Sequence, residues 1–329
     1  MTYIAFIDKF IHPFIIYVLA GTLTSYLLVL LMIRIPGLNN SRSRTILYTI
    51  PFIVPFLAYL VFQPYIPTNC ILFKQPIGII NNWLCAGARG IATILTPLFF
   101  FAATFALVKA GLSILATGRI RKKYGFATRL DYPKLFGILE NLCLKIAIQH
   151  PKLIVTKDLF ARSFTMGRRS PIIVLSEGIL STLDDEELET VIAHELGHIV
   201  RADSLLNWLM VFLRDLMFFT PLSYWMFRDL ATEKEKASDD FAIELTGKPY
   251  AFAQALIKVW KLSPRTLFSN LVFDNFMPHP NFVSSSGILE IRVKRILNKE
   301  QIVSNNTLLV YSAMVILVGL SLSIVYWLC

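Results

Sequence analysis

Two histidines and a glutamate are spaced in a way that suits metal-dependent hydrolysis. Residues 184–203 contain the pattern H-E-x-x-H, formed by His194, Glu195 and His198. On an α-helix the two histidines are one turn apart and project from the same side, so both imidazoles can reach one Zn²⁺ at about 2.0 Å. Glu195 is offset by about 100° and reaches a water on the ion rather than the ion itself. This chemistry is that of a zinc peptidase with Glu195 as general base.

The helix that carries these residues has its own start signal. Asp184 and Glu187 have the spacing of a capping box, and the acidic first turn complements the positive end of the helix dipole. Leu188, Val191 and Ile192 begin an apolar face. The alternative, two ordinary helix histidines and a solvated glutamate, is disfavoured because two of only five histidines coincide on one capped helix.

A third metal ligand is expected from a second helix. Residues 233–244 place Glu235 and Asp239 four positions apart on one helical face. Glu235 is the predicted ligand of a single Zn²⁺ per chain, and Asp239 would accept the outer N–H of a ligating histidine. The alternative for so polar a segment is a solvated charge run.

The run from about 152 to 244 resembles the membrane zinc metallopeptidases of the BlaR/MecR antirepressor type. Their H-E-L-x-H-x-x-R-x-D pattern is matched by residues 194–203, and their later E-x-x-C-D by residues 235–239, with Ser238 in place of Cys. Residues 163–167 and 171–175 are similar to the strands that lie beside the family's active site. The resemblance implies that Asp203 supports a ligating histidine. The beta-lactam receptors continue into a penicillin-binding sensor domain, which residues up to Cys329 do not include, so we expect no beta-lactam sensing.

The related HtpX and CAAX-prenyl-protease family is the nearest alternative. That family usually has Asn-Ala-Phe where residues 162–164 read Arg-Ser-Phe, which argues mildly against it. Its later His-Pro…Arg-Ile signature is loosely similar to His279-Pro280 and Arg295-Ile296. The resemblance implies that His279 approaches the active site as an oxyanion donor, although a histidine in a loop between prolines is more often structural.

Composition places the motif in a membrane protein. The 329 residues are 55% hydrophobic and 16% charged, with a mean hydropathy of +0.59, whereas soluble domains carry about a quarter charged residues. Only eight charged residues lie outside residues 119–304. Since about 20 apolar residues cross a bilayer, four segments qualify as spans: 14–33, 45–62, 90–117 and 307–328.

We therefore predict a mainly α membrane protein, with four transmembrane helices and an inserted cytosolic α+β zincin-like metallopeptidase domain. Its parts are a three-helix membrane anchor (1–118), the zinc domain (119–304) and a fourth transmembrane helix (305–329). Residues 204–227 are apolar enough to suggest a further span, but Arg214 and Asp215 would each cost about 2.5–3.5 kcal/mol in lipid. We interpret this stretch as one long helix, half sunk into the bilayer surface or packed on the spans.

Basic flanks set the expected orientation. Lys and Arg residues follow the first and third spans and precede the fourth, whereas the loop 63–89 carries only Lys74 and Arg89. The positive-inside rule then puts the catalytic domain in the cytosol and both termini outside the cell membrane. Cys70 and Cys85 lie in this outer loop, where they either pair as a disulfide or remain two thiols.

Charge also bears on partners. The net charge of +10 divides into +4 within residues 119–304 and +6 outside them, so anionic lipid explains the surplus and no direct nucleic-acid binding is expected. The expected partners are the lipid bilayer and a protein or peptide substrate, with a transcriptional repressor as the signalling candidate. The alternatives are a membrane-protein quality-control protease and a non-enzymatic zinc-containing receptor or scaffold, which has no need of Glu195.

Overall fold

The computed structural model describes residues 3–65, 78–167, 170–263, 286–298 and 307–328. The N-terminal part is helical and comprises α1 (Tyr3–Phe6), a π-helical turn (Ile7–Ile11), α2 (His12–Met32), α3 (Ser41–Leu47), α4 (Ile50–Phe62), a 3₁₀ turn (Gln63–Tyr65) and α5 (Gly78–Tyr124). The remainder comprises α6 (Pro133–Lys145), β1 (Lys152–Thr156), β2 (Ser163–Met166), β3 (Ile172–Ser176), α7 (Glu177–Thr182), α8 (Asp185–Val200), α9 (Asp203–Leu216), α10 (Pro221–Thr246), α11 (Pro249–Leu262), α12 (Ser286–Leu297) and α13 (Thr307–Leu328).

Four helical stretches of the described residues are long and apolar enough to cross a membrane, judged by length and composition. They are Lys9–Met32, Ser41–Phe62, Gly90–Lys109 and Thr307–Trp327. They match the four predicted spans, and with the small mixed sheet they confirm the predicted fold class. The third span is part of α5, which continues as a helix beyond the apolar stretch to Tyr124.

The second span is broken where its prolines require it. α3 ends before Tyr48 and α4 starts at Ile50, directly before Pro51, because Pro51 has no backbone N–H with which to continue α3 and suits the first turn of a new helix. Pro55 lies inside α4 and faces α2. A Cβ on Gly21 of α2 would lie 3.0 Å from the Cα of Pro55, so glycine is what lets these two helices approach so closely.

The described residues divide into two compact units, drawn from residues 1–108, 210–230 and 303–329, and from residues 109–209 and 231–302. Residues 210–230 therefore belong with the apolar helices, although they fall inside the range predicted for the zinc domain (119–304). Within the first unit, the rings of Phe14 and Phe219 lie 6.4 Å apart and the Tyr26 hydroxyl donates to Asp229 at 2.7 Å. The expected packing of this stretch on the spans is thus observed.

The expectation of one long helix over residues 204–227 is wrong. The chain forms α9 and α10 instead, separated by residues 217–220, with Pro221 opening the second helix. The charged residues that argued against a lipid crossing, Arg214 and Asp215, form a hydrogen bond with each other. Arg214 donates to Asp215 at 2.6 Å, and its guanidinium carbon lies 4.7 Å from the ring centre of Phe227 and 5.1 Å from that of Tyr224.

The second unit contains a three-stranded sheet in the order β1-β3-β2. β1 pairs with β3 in parallel, and β2 pairs with β3 antiparallel. All five residues of the central strand β3 are buried, which explains its unbroken apolar sequence. β2 is therefore an edge strand of the sheet.

The core of this unit lies between the sheet and the helices that carry the candidate site. Fully buried Leu139 of α6, Ile173 of β3, Val191 of α8 and Phe252 of α11 belong to one apolar cluster. Because α8 contributes its apolar residues to this cluster, the helix is held in a fixed position. His194 and Glu195 are buried on the same helix, and the ring centre of His194 lies 5.8 Å from that of Phe252.

Candidate active site

α8 begins with the capping box expected from the sequence. The Asp184 carboxylate accepts from the Glu187 backbone N–H at 2.9 Å, and the Asp184 N–H donates to the Glu187 carboxylate at 3.0 Å. Glu187 is 1% exposed and its second carboxylate oxygen lies 2.6 Å from the Lys258 ammonium of α11. The start of the helix is thus fixed both locally and by α11.

α10 lies close against α8 because α8 carries a glycine at the point of contact. A Cβ on Gly197 would lie 3.1 Å from the Phe241 ring carbon Cδ1, closer than side chains usually approach. The glycine between the two histidines therefore lets the second helix bring its carboxylates to the first. Asp239 and Glu235 of α10 both lie beside His194 as a result.

Three predicted ligands face one another across a short gap. The Nε2 atoms of His194 and His198 are 3.2 Å apart. Each lies 3.6 Å from a carboxylate oxygen of Glu235. A tetrahedral Zn²⁺ bound at about 2.0–2.1 Å separates its ligand atoms by about 3.4 Å. The triangle of donor atoms therefore fits one face of a tetrahedral zinc site.

The partners of these ligands also favour a cation. His194 Nδ1 lies 3.1 Å from Asp239, and His198 Nδ1 lies 2.8 Å from Asp203, so we assign the proton of each imidazole to Nδ1. Each Nε2 atom then turns a lone pair towards the other and towards Glu235. Both oxygens of Glu235 are buried and accept no hydrogen bond from the residues the structure describes, apart from close contact with Arg292. A cation would satisfy all these acceptors together.

Glu195 is held at one oxygen and left open at the other. The Ser163 hydroxyl of β2 donates a hydrogen bond to Glu195 Oε1. Glu195 Oε2 is buried and has no hydrogen-bond partner among the described residues. The second oxygen is therefore the one available to a water or substrate group, as a general base requires.

Burial sets the protonation states around this gap. Desolvation lowers the pKa of His194 to about 4, against the opposing effect of Asp239, and it lowers the pKa of His198 as well. Both histidines are thus neutral near pH 7, which is the form that binds metal. Burial raises the pKa of Glu195 to about 8 in the metal-free chain, and the negative charge of Glu235 adds to this, while the Ser163 hydrogen bond lowers it.

Asp203 is embedded in a second polar network behind His198. It lies 2.8 Å from His198 Nδ1 and accepts from Arg201 at 2.6 Å, and Arg201 also donates to the Ser238 hydroxyl at 2.6 Å. Lys234 is 2% exposed and donates to Asn207 beside Asp203. Although burial alone would raise the pKa of Asp203, the hydrogen bond with His198 and the charges of Lys234 and Arg201 hold it well below its usual range.

Acidification is expected to destabilise the metal-free chain because His194 is buried in its neutral form. The unfolded chain protonates this residue near pH 6.5, whereas the folded chain does so only near pH 4. The unfolded state binds more protons between these values, so this stability is fully present above about pH 6.5 and is lost as pH falls towards 4, by up to about 3 kcal/mol. Thermal unfolding of the full-length chain in detergent with a chelator, measured across this range, checks this.

Two histidine variants serve as controls for the acid effect. Replacing His194 with Gln should flatten the dependence of the melting temperature on pH between 6.5 and 4. The same change at His150, which is exposed, should leave the dependence as in the wild type. An unaltered pH dependence in His194→Gln would show that other groups control acid unfolding.

The structure thus brings together six of the seven residues singled out from the sequence: His194, Glu195, His198, Asp203, Glu235 and Asp239. His279 lies outside the described residues, and its role stays a prediction. Two residues of the site are not predicted by the sequence: Ser163, which contacts Glu195, and Arg292, which contacts Glu235 and Asp239. The sequence places Ser163 in a predicted strand and Arg292 among the basic residues that precede the fourth span, and neither position signals a role in the site.

The apolar helices and this cluster are features expected of a membrane metallopeptidase family. Its residues 16–273 match the family described as BlaR1 peptidase M56, so the chain belongs to that family, whose members are zinc metallopeptidases. The resemblance to the BlaR/MecR type is therefore confirmed.

Relatives of the HtpX type also match. A "Protease HtpX homolog" of Pyrococcus furiosus is 28% identical over 165 residues, covering 39% of this chain and 57% of the relative. "Protease HtpX homolog 1" of Streptomyces coelicolor is 26% identical over 199 residues, covering 49% of this chain and 66% of the relative. The chain thus spans 57% and 66% of the length of these two relatives. The crystal structure of S. mikatae Ste24p is similar with a TM-score of 0.40 and 16% identity, over 76% of this chain and 75% of that one.

Proposed function

We propose that this chain is a zinc-dependent endopeptidase that hydrolyses peptide bonds of protein substrates at the cytosolic face of a cell membrane. The observation that carries the proposal is the triangle of His194, His198 and Glu235 donor atoms, with Glu195 beside it. These three residues would hold one Zn²⁺, which supplies Lewis-acid chemistry that polarises a carbonyl and acidifies water.

Glu195 is the proposed general base and acid. Its Oε2 atom takes a proton from the attacking water and later passes it to the leaving amine, while Oε1 stays fixed by Ser163. A purely structural zinc site has no need of a carboxylate anchored in this way beside its ligands. The arrangement therefore favours an enzyme over a zinc-containing scaffold.

β2 is the proposed docking strand for the substrate. It is an edge strand, it pairs only with β3 among the described strands, and its Ser163 touches Glu195. An extended peptide added along this edge would present its backbone near the general base. We therefore propose residues 163–166 as the sheet edge that receives the substrate.

Replacing Ser163 with Ala is expected to lower kcat by about 10-fold to 100-fold. This factor corresponds to the free energy that a hydrogen bond to a charged group contributes. The reason is that Glu195 loses the contact that orients it, while the metal ligands are untouched. KM and zinc content should stay as in the wild type, and Ser163→Thr, which keeps the hydroxyl, should recover most of the rate. Steady-state peptidase kinetics on the full-length chain test this, and an Ala variant as fast as the wild type would remove Ser163 from the mechanism.

The biological role has two candidates within this activity. The family match supports signalling by cleavage of a repressor or of the chain itself, and the HtpX-type relatives support quality control of membrane proteins. The cytosolic placement of the second unit, with both termini outside, is supported by the basic flanks of the spans.

Proteomics of cells carrying Glu195→Gln beside the wild type separates these roles. A single accumulating repressor would establish signalling, and many accumulating membrane proteins would establish quality control. The absence of any accumulating protein would contradict both protease roles.

A further inference from the structure

Arg292 is the most deeply buried cation near the candidate site. It lies on α12, is 1% exposed and is the largest fully buried side chain among the described residues. Its Nε donates to Asp239 Oδ2 at 2.8 Å and its Nη2 to Asp239 Oδ1 at 2.6 Å. Its Nη1 lies 3.0 Å from Glu235 Oε2. One guanidinium therefore contacts two carboxylates that stand on successive turns of α10.

Both carboxylates bear on the metal site. Glu235 is a proposed ligand, and Asp239 lies 3.1 Å from Nδ1 of His194, another proposed ligand. Neither carboxylate is more than 2% exposed, so water does not screen the repulsion between them. Two unpaired anions buried so close together would move apart or take up protons.

The geometry of the contact suits arginine and no other residue. A planar guanidinium presents several N–H donors in a rigid fork. Two of them donate to Asp239 along one edge, and Nη1 remains to contact Glu235. A lysine would bring the charge but only a single donor centre. The contact therefore fixes the relative position of the two carboxylates as well as compensating their charge.

We propose that Arg292 is a positioning residue that holds Glu235 and Asp239 in the metal-binding arrangement before the metal arrives. This inference rests on the proposed function. Arg292 does not touch substrate or metal; it acts through Glu235 directly and through Asp239 on His194. Its charge also lowers the ligand repulsion that would otherwise oppose assembly of an empty site.

Arg295 provides a matched control on the same helix. It lies one turn after Arg292 and binds Asp240 of α10 at 2.6 Å, with a further contact to the Lys236 carbonyl at 3.3 Å. These hydrogen bonds to Asp240 and to the Lys236 carbonyl hold α12 against α10. A difference between variants of the two arginines separates positioning of the site from simple docking of the helix.

The test is the zinc affinity of the full-length chain in detergent, measured by competition with a chromogenic chelator. Arg292→Met is expected to weaken zinc binding by about 10-fold to 100-fold, as loss of an outer-shell partner typically does. It should also change the visible absorption of the Co²⁺-substituted chain, which reports ligand geometry. Arg295→Met should leave both the affinity and the spectrum as in the wild type.

Conservative variants keep the test decisive if Arg292→Met does not fold. Arg292→Lys retains the charge but loses the fork, so it should bind zinc more weakly than Arg295→Lys and show an altered Co²⁺ spectrum. Equal zinc affinities in the two lysine variants, or equal losses in the two methionine variants, would overturn the inference. The wild type is measured first, and its failure to bind zinc or to hydrolyse peptides would refute the proposed function. If the wild type binds zinc and the Arg292 variants bind it equally well, only the inference about Arg292 is refuted.

Discussion

Replacing Glu195 with Gln is expected to slow peptide hydrolysis by about 10²-fold to 10⁴-fold while the chain keeps its zinc. Gln has nearly the same shape as Glu and can still accept from Ser163, but it cannot take a proton from water. The metal ligands His194, His198 and Glu235 are unchanged, so binding of the ion should persist. The measurement is kcat/KM on a peptide substrate together with zinc content by atomic absorption, on the same purified full-length preparation.

Glu186 is a suitable control because it lies on the same helix at the surface. Its side chain is 66% exposed and pairs with Lys248 at 3.1 Å, and it has no proposed role in the site. Glu186→Gln should therefore have wild-type kinetics. Full activity in Glu195→Gln would show that Glu195 is not the general base, whatever the zinc content.

Replacing His198 with Ala is expected to abolish zinc binding and, with it, activity. Loss of a ligand removes a direct bond to the ion, so the effect should exceed the roughly 10-fold to 100-fold loss that follows removal of an outer-shell partner. Asp203 keeps its contact with Arg201 in this variant, so the network behind the site is not left with an unpaired charge. Zinc content and proteolysis are the quantities to measure.

Thermal unfolding gives this prediction a second readout. In the wild type, zinc at about 1,000 times its Kd stabilises the folded chain by about 4 kcal/mol, so a chelator should lower the melting temperature. In His198→Ala the chelator should leave the melting temperature unchanged. In His150→Ala, which alters an exposed histidine, the chelator should lower the melting temperature as much as in the wild type. A His198→Ala chain that still contains one zinc would be incompatible with the assigned ligands.

Much of the site can be predicted from rules that act over a few residues of the chain. The capping box of Asp184 and Glu187, and the shared faces of His194 with His198 and of Glu235 with Asp239, follow from helix periodicity over a few residues. The spans follow from apolar length alone. These features are encoded within single helices, and the structure reproduces each of them.

The contacts that were missed are those between distant parts of the chain. Ser163 is 32 residues from Glu195, and Arg292 is 53 residues from Asp239. No spacing rule connects such pairs, and only the packing of β2 and α12 brings them together. In the sequence, Arg292 and Arg295 belong to the basic stretch before the fourth span, and Arg295 also to the loose Arg-Ile match, whereas in the structure both form ion pairs with α10.

The break between α9 and α10 was missed for a different reason. Residues 204–227 are mostly apolar and carry only two charged residues, Arg214 and Asp215, and hydropathy does not distinguish one helix from two. The turn at 217–220 is fixed by Pro221 and by hydrogen bonds from the Thr220 and Ser223 hydroxyls to nearby carbonyls, including that of Met217. Such short-range hydroxyl contacts compete with helix but do not by themselves predict its end.

The most direct test of zinc-dependent catalysis is a metal titration of the purified full-length chain with peptide hydrolysis as the readout. We expect one zinc per chain, loss of hydrolysis when a chelator removes it, and recovery of hydrolysis when one equivalent of Zn²⁺ is restored. A metal-free chain that hydrolyses peptides as fast as the zinc-loaded chain would contradict the proposed function.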